Sequence, residues 1–220
     1  MIALPNFDDP FSYENGFYLT CEAGRIGKFL AHYELFKLAM AVPGALVECG
    51  VFKGASLTRF AIFRKLLDPD AFRRIVGFDI FGAFPETDFG PDKSHRENFV
   101  KSAGIESIGT DQLFDVLKRK GCDTRVELVA GNICETVPAF LKENPEFEIS
   151  LLNLDTDIYE PAVTILENFF PRIKSGGILI LDDYNVFPGE TQAVDDYFAD
   201  KHIEIKKFPY AATPCYIVKP

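Results

Sequence analysis

The chain has 220 residues, 47% of them hydrophobic and 22 of them Phe, enough apolar surface for one packed domain with additions. Its formal charge of -10 argues against a nucleic-acid partner, because phosphate backbones are bound by clustered Lys and Arg. The start carries neither a basic nor an apolar leader and no stretch approaches the roughly 20 apolar residues of a membrane helix, so a soluble, cytoplasmic protein is expected.

Residues 1–25, with Pro5, Asp8-Asp9-Pro10 and the aromatic Phe7, Phe11, Tyr13, Phe17 and Tyr18, read as an irregular arm suited to packing on a second copy as a homodimer, or over a site. Apolar spacing from Phe29 through Leu30, Tyr33, Phe36, Leu38 and Met40 predicts a helix closed by Pro43-Gly44. The division expected is an arm and helix at 1–44 and a main domain at 45–220. Beyond residue 44, short apolar runs alternate with amphipathic stretches, the pattern of successive βα units and a parallel sheet. Strands are predicted at 45–48, 74–79, 126–129, 149–154 and 178–181, with 203–207 and 215–218 as a closing hairpin. Helices are predicted near 54–67, 111–120, 134–143, 159–170 and 189–200. The connection from Phe81 to Lys93, rich in Gly, Pro and acidic residues, is too long for an ordinary βα loop and is a candidate substrate lid. Cys21, Cys49, Cys122, Cys134 and Cys215 are widely spaced without a C-x-x-C pair, so reduced thiols are expected rather than disulfides or a zinc site.

The run Val47-Glu48-Cys49-Gly50-Val51-Phe52-Lys53-Gly54-Ala55-Ser56 reads as a strand passing through a glycine turn into a helix. Gly50 permits a tight turn and close approach to a ligand, Gly54 opens the helix, and the helix's free N–H groups favour a carboxylate or phosphate. Phe52 stands where the dinucleotide fingerprint has its second glycine, which obstructs a pyrophosphate. Asp79 closes the second strand, where a carboxylate can accept two hydrogen bonds from a ribose diol, a device of both NAD proteins and methyltransferases. Gly131-Asn132, after the third strand, would lie beside an adenine or form a plain turn.

Asp155-Thr156-Asp157 and Asp182-Asp183 each follow an apolar run, so both leave the sheet at strand carboxyl ends, where α/β folds bind ligands. Asp155 and Asp157 share a face if the strand continues, whereas Asp182 and Asp183 alternate unless the chain turns. Several carboxylates in one crevice need a cation to offset their repulsion, and an all-oxygen set suits Mg²⁺ better than zinc. Solvated acids at loop starts, or Asp157 capping the next helix, are the competing interpretation.

Together the motifs at 47–56, 79–85 (Asp-Ile-Phe-Gly-Ala-Phe-Pro), 131–138 (Gly-Asn-Ile-Cys-Glu-Thr-Val-Pro), 153–160 (Asn-Leu-Asp-Thr-Asp-Ile-Tyr-Glu) and 175–184 (Ser-Gly-Gly-Ile-Leu-Ile-Leu-Asp-Asp-Tyr) resemble, in order and spacing, the macrocin O-methyltransferase (TylF) family. The resemblance implies an α/β, Rossmann-like class I methyltransferase fold, with a mostly parallel seven-stranded sheet flanked by helices and an antiparallel C-terminal hairpin. It implies that Asp155, Asp182 and Asp183 bind Mg²⁺, that Asp157 is the general base, and that Glu48, Gly50, Val51, Gly54, Ser56, Asp79, Asn132 and Asp155 hold S-adenosylmethionine. The implied acceptor is a hydroxyl of a small sugar-containing molecule: a deoxysugar, a glycoside or a nucleotide-linked sugar. Asn153, where many relatives carry His, and the segment 81–99 depart from the family pattern and bear on the acceptor. A catechol or caffeoyl-CoA type of methyltransferase usually pairs Asp with Asn where this chain has Asp182-Asp183. An NAD-dependent oxidoreductase is disfavoured by Phe52 and by the lack of a Tyr-x-x-x-Lys pair near the crevice. A non-catalytic domain retaining the fold is the remaining alternative.

Overall fold

The computed structural model describes residues 2–69 and 73–220. Five parallel strands, β1 (Ala45–Cys49), β2 (Ile75–Asp79), β3 (Val126–Ala130), β4 (Ile149–Leu154) and β5 (Ile173–Leu181), form the centre of the sheet. With β6 (Lys206–Lys207) and β7 (Cys215–Val218) it has seven strands in the order β3-β2-β1-β4-β5-β7-β6. β7 runs antiparallel to both β5 and β6, so the closing hairpin is present, although its first strand is shorter than expected. The strand order reverses between β1 and β4, which opens a crevice beyond their carboxyl ends.

The helices among the described residues are α1 (Pro10–Thr20), α2 (Ala23–Met40), α3 (Ala55–Leu67), α4 (Asp92–Ala103), α5 (Thr110–Arg119), α6 (Ile133–Glu143), α7 (Tyr159–Phe169) and α8 (Pro188–Phe198). Period-two alternation along the strands divides the core into two layers. Val47, Val76, Leu152, Leu154, Leu179 and Leu181 face α6, α7 and α8, whereas Leu46, Ile75, Leu151, Ile178 and Ile180 face α2, α3 and α5. Both faces of the central strands are therefore covered, which is why they read as continuous apolar runs.

Two expectations change. The arm at 1–25 is largely helical: Pro10 occupies the first turn of α1, where its fixed φ suits a helix start, and α2 follows almost at once. No residue of α1 is buried, so its aromatic side chains follow no periodic stripe that could have announced the helix. Leu35, Phe36 and Ala39 of α2 pack into the core with α3 and the sheet. The segment after Phe81 ends in α4, whose buried residues, Asp92 and Arg96, are both charged. No helix among the described residues is long and apolar enough to cross a membrane, and all five cysteines are free.

Candidate active site

Beyond the strand ends lies a cavity of about 1230 Å³, walled by the glycine turn, both acidic motifs, the 84–88 segment and residues of α1 and α2. Two glycines shape the turn at its edge. Gly50 adopts φ +91°, and a Cβ there would fall 1.6 Å from the carbonyl oxygen of Asp155, so only glycine lets the ends of β1 and β4 meet. Gly54, at φ +78°, sits before α3 and packs against Leu113 rather than lining the cavity.

Of the residues expected to hold a cofactor, Gly50, Val51, Ser56, Asp79, Asn132 and Asp155 line the cavity. Glu48 lies one layer beneath the wall, its Oε1 accepting the Ser56 hydroxyl at 2.6 Å. Burial, reinforced by the charge of Asp182, pushes Glu48 up to about 8. It shapes the site without facing the cavity. Asp79 is bound tightly to protein: Oδ2 accepts the amides of Val51 and Phe52, both at 2.8 Å, and Oδ1 accepts the Phe81 amide at 2.6 Å and the Ser107 hydroxyl at 3.0 Å. A carboxylate offers about four lone-pair positions, so a ribose diol would have to displace one of these donors. Asn132 caps α6 through its side chain, 3.0 Å from the Cys134 amide.

The strand carrying Asp155 ends at Leu154, and Asp157 turns back with φ +64°, a left-handed conformation that Asp tolerates better than most residues. This turn brings oxygens of Asp155, Asp157 and Asp183 within 4.8 Å of one another. Burial, followed by mutual repulsion, raises Asp155 and Asp183 well above the usual carboxylate range. Burial likewise pushes Asp157 up to about 7, against a hydrogen bond with Asp183. Such shifts mark a site with more negative charge than its surroundings neutralise.

Asp182 is arranged differently. Lys28 of α2 donates to its Oδ2, while His32 Nε2 stands 3.4 Å from Oδ1, too far for a well-formed hydrogen bond. Burial opposes the charge of Asp182, but the ammonium of Lys28, the largest opposing influence, outweighs it and the carboxyl stays below its ordinary range. His32 itself is kept neutral by burial, with Nδ1 facing Arg59 at 2.9 Å. The resemblance grouped Asp182 with Asp155 and Asp183 as metal ligands; here Asp157 joins that pair, and Asp182 is engaged by α2.

Four carboxylates and cations that sequence reading missed support this crevice. Glu190, fully buried in α8, accepts the Asp183 amide at 2.9 Å, and its own amide reaches the Asp157 carbonyl at 3.2 Å. Asp92 accepts the amides of Tyr159 at 3.0 Å and Gly189 at 2.7 Å, capping α7 and α8 together. Glu160 accepts the Asp88 amide at 2.9 Å, the Phe89 amide at 3.1 Å and the Thr87 hydroxyl at 3.0 Å, and Phe89 stacks on Tyr159. Lys28 is the cation of the group. The segment suspected as a lid is thus fastened over the crevice. Glu160 closes the 153–160 motif with no local mark of its hold on the lid; Lys28, Asp92 and Glu190 lie far apart in sequence and belong to none of the motifs.

The sheet order and the ligand crevice at the β1/β4 reversal define a class I methyltransferase fold. The solved calicheamicin methyltransferase CalS11 superposes with a TM-score of 0.80 and 29% identity over 97% of this chain and 86% of that one. The O-methyltransferase NovP, at 22% identity and a TM-score of 0.71, shares the fold over 88% of this chain and 80% of its own. The profile describing macrocin-O-methyltransferase (TylF) matches residues 31–209, and the chain belongs to that family. A tetracenomycin-C 4'-O-methyltransferase of Streptomyces olivaceus, acting on a dimethoxy-rhamnosyl derivative by its name, is 32% identical over 163 residues, 73% of this chain and 60% of that protein. The demethyldecarbamoylnovobiocin O-methyltransferase of Streptomyces niveus is 31% identical over 72% of this chain and 59% of its own length. The chain therefore spans about 60% of these two relatives.

Proposed function

We propose that the protein transfers a methyl group from S-adenosylmethionine to a sugar hydroxyl with the help of Mg²⁺. The observation that carries this reading is the meeting, in one cavity, of the glycine turn at Gly50 and the carboxylates of Asp155, Asp157 and Asp183. Asp79 and Asn132 would hold the purine end of the cofactor beside the turn, and Ser56 and Asp155 its amino-acid end. Relatives named for rhamnosyl and novobiocin substrates, and a solved structure titled as a TDP-rhamnose 3'-O-methyltransferase at 28% identity, support a sugar acceptor, free or nucleotide-linked.

The donor set fits a hard divalent ion: converging carboxylates, with raised pKa values, and a lysine ammonium already drawn in beside them. Asp155 and Asp183 would hold the ion, with Asp182 available once Lys28 withdraws. An ion held there would supply Lewis-acid chemistry, lowering the pKa of the reacting sugar hydroxyl. The acceptor oxygen forms its bond to the methyl carbon as the carbon–sulfur bond breaks and sulfur keeps the electron pair. The hydroxyl proton passes to a carboxylate oxygen of Asp157, whose pKa near 7 suits a general base at neutral pH. The fastened lid keeps water out and the acceptor aligned.

Calorimetric titration with S-adenosylhomocysteine and with Mg²⁺ tests the assignment. Unaltered protein is expected to bind both. Asp183→Asn should lose Mg²⁺ binding, whereas Asp157→Asn should keep it within about threefold and lose turnover by about 10²–10⁴. Loss of Mg²⁺ from Asp157→Asn would make Asp157 a ligand; no binding of the homocysteine product would refute the cofactor.

A further inference from the structure

Arg59 projects from the second turn of α3 into the cavity wall, beside Ser56. Its guanidinium has five donors, yet its contacts are Nη1 with His32 Nδ1 at 2.9 Å and the face of Phe29 at 5.7 Å. Among the described residues no carboxylate forms an ion pair with it, although Glu48, Asp182 and Asp155 stand near enough to attract it. Arg25 of α2, exposed and likewise without a carboxylate partner, lines the same wall close enough to repel it. The first turn of α3 adds amides that have no intrahelical acceptor, and a positive dipole end. Two cations and a helix start thus face one end of a cavity in a protein whose overall charge is -10.

We infer that Arg59, with Arg25 and the start of α3, forms a carboxylate-binding subsite that takes the α-carboxylate of the cofactor's amino-acid tail. This rests on the cofactor reading above. A ligand laid over the glycine turn with its purine on the Asp79 and Asn132 side must end on the β1/β4 side, where Ser56, Arg59 and Asp155 stand. That tail carries an ammonium and a carboxylate. Asp155 meets the first, and the guanidinium fork meets the second with parallel charge-assisted hydrogen bonds. The same chemistry would suit a phosphate of a nucleotide-linked acceptor, and the two sources respond differently to the test.

The unaltered protein, Arg59→Ala and Arg59→Lys are titrated with S-adenosylhomocysteine, with 5′-methylthioadenosine, which lacks the amino-acid tail, and with thymidine diphosphate. Arg59→Ala is expected to weaken S-adenosylhomocysteine about tenfold to a hundredfold and 5′-methylthioadenosine less than about twofold. Arg59→Lys should recover part of the loss, because it keeps the charge without the fork. Equal weakening of both adenosine ligands would reduce Arg59 to a support for His32 and overturn the subsite. Loss confined to thymidine diphosphate would move it to the acceptor and overturn the assignment. If Arg59→Ala does not fold, Arg59→Lys against Arg59→Gln makes the same comparison. Failure of the unaltered protein to bind S-adenosylhomocysteine would refute the cofactor reading and the subsite with it, a result separable from selective loss in the variants.

Discussion

Left-handed backbone conformations gather at the strand ends: Phe52 at φ +47°, Phe81 at φ +49°, Asp157 at φ +64° and Asn185 at φ +67°. Such residues are costly and persist where the surroundings force them. Gly50 makes this crowding possible, since any side chain would collide with Asp155. Gly50→Ala is expected to destabilise the fold by at least about 3 kcal/mol and to displace Asp155, read as a lower melting temperature together with weakened Mg²⁺ binding; an unchanged melting temperature would show that the β1/β4 approach is not tight. Gly50 and the four aspartates were legible because each follows an apolar run, the local mark of a strand carboxyl end. Glu190, Asp92, Lys28 and Arg59 were not, because their roles arise only when distant segments are brought together. Asp79 was legible for its position at a strand end, whereas its four donors were not, since they come from three different loops.

At the level of elements, α4 explains both why the lid is closed and why it escaped prediction. Its sequence, Asp-Lys-Ser-His-Arg-Glu-Asn-Phe-Val-Lys-Ser-Ala, has no apolar stripe, because the helix docks through the buried charges of Asp92 and Arg96 and through one aromatic ring, Phe99, which meets Phe52, Phe84 and Phe187. Arg96 donates to the carbonyls of Pro85 at 2.6 Å and Phe84 at 3.0 Å, and Asp92 holds two helix starts. Asp92→Asn replaces one acceptor oxygen by an amide donor facing a backbone N–H. The expected loss is about 2 kcal/mol, accompanied by faster hydrogen exchange at Asp88, Phe89, Tyr159 and Gly189. Exchange unchanged at all four would show that the lid is held without Asp92. The strands and the helices α3, α5, α6, α7 and α8 were predictable because their apolar periods agree with the packing they find; α1 and α4 bury no apolar residue at all.

Across the whole molecule, stability should depend on pH in an unusual direction. Glu48 rises from its ordinary 4.5 to about 8, and Asp157 from 3.8 to about 7, both chiefly through burial. The folded protein therefore binds protons that the unfolded chain releases, and this contribution is complete below about pH 4 and lost as pH rises through 7 and 8. The melting temperature of metal-free protein is expected to fall between pH 6 and pH 9, and Glu48→Gln should flatten the upper part of that decline. Added Mg²⁺ should raise the melting temperature more at pH 8 than at pH 6, where protons compete for the same oxygens. A metal-free melting temperature that stays level from pH 6 to pH 9 would contradict the buried acid cluster.

Asp92 joins the lid to the two backbone turns that present Asp157 and Asp183. Lifting the lid far enough to admit an acceptor removes one tether from each turn. If the protein works as proposed, entry and catalytic readiness would exclude one another: an open molecule would hold its donor without the acid groups in register to use it, and a molecule able to react would already have shut out water as a rival acceptor.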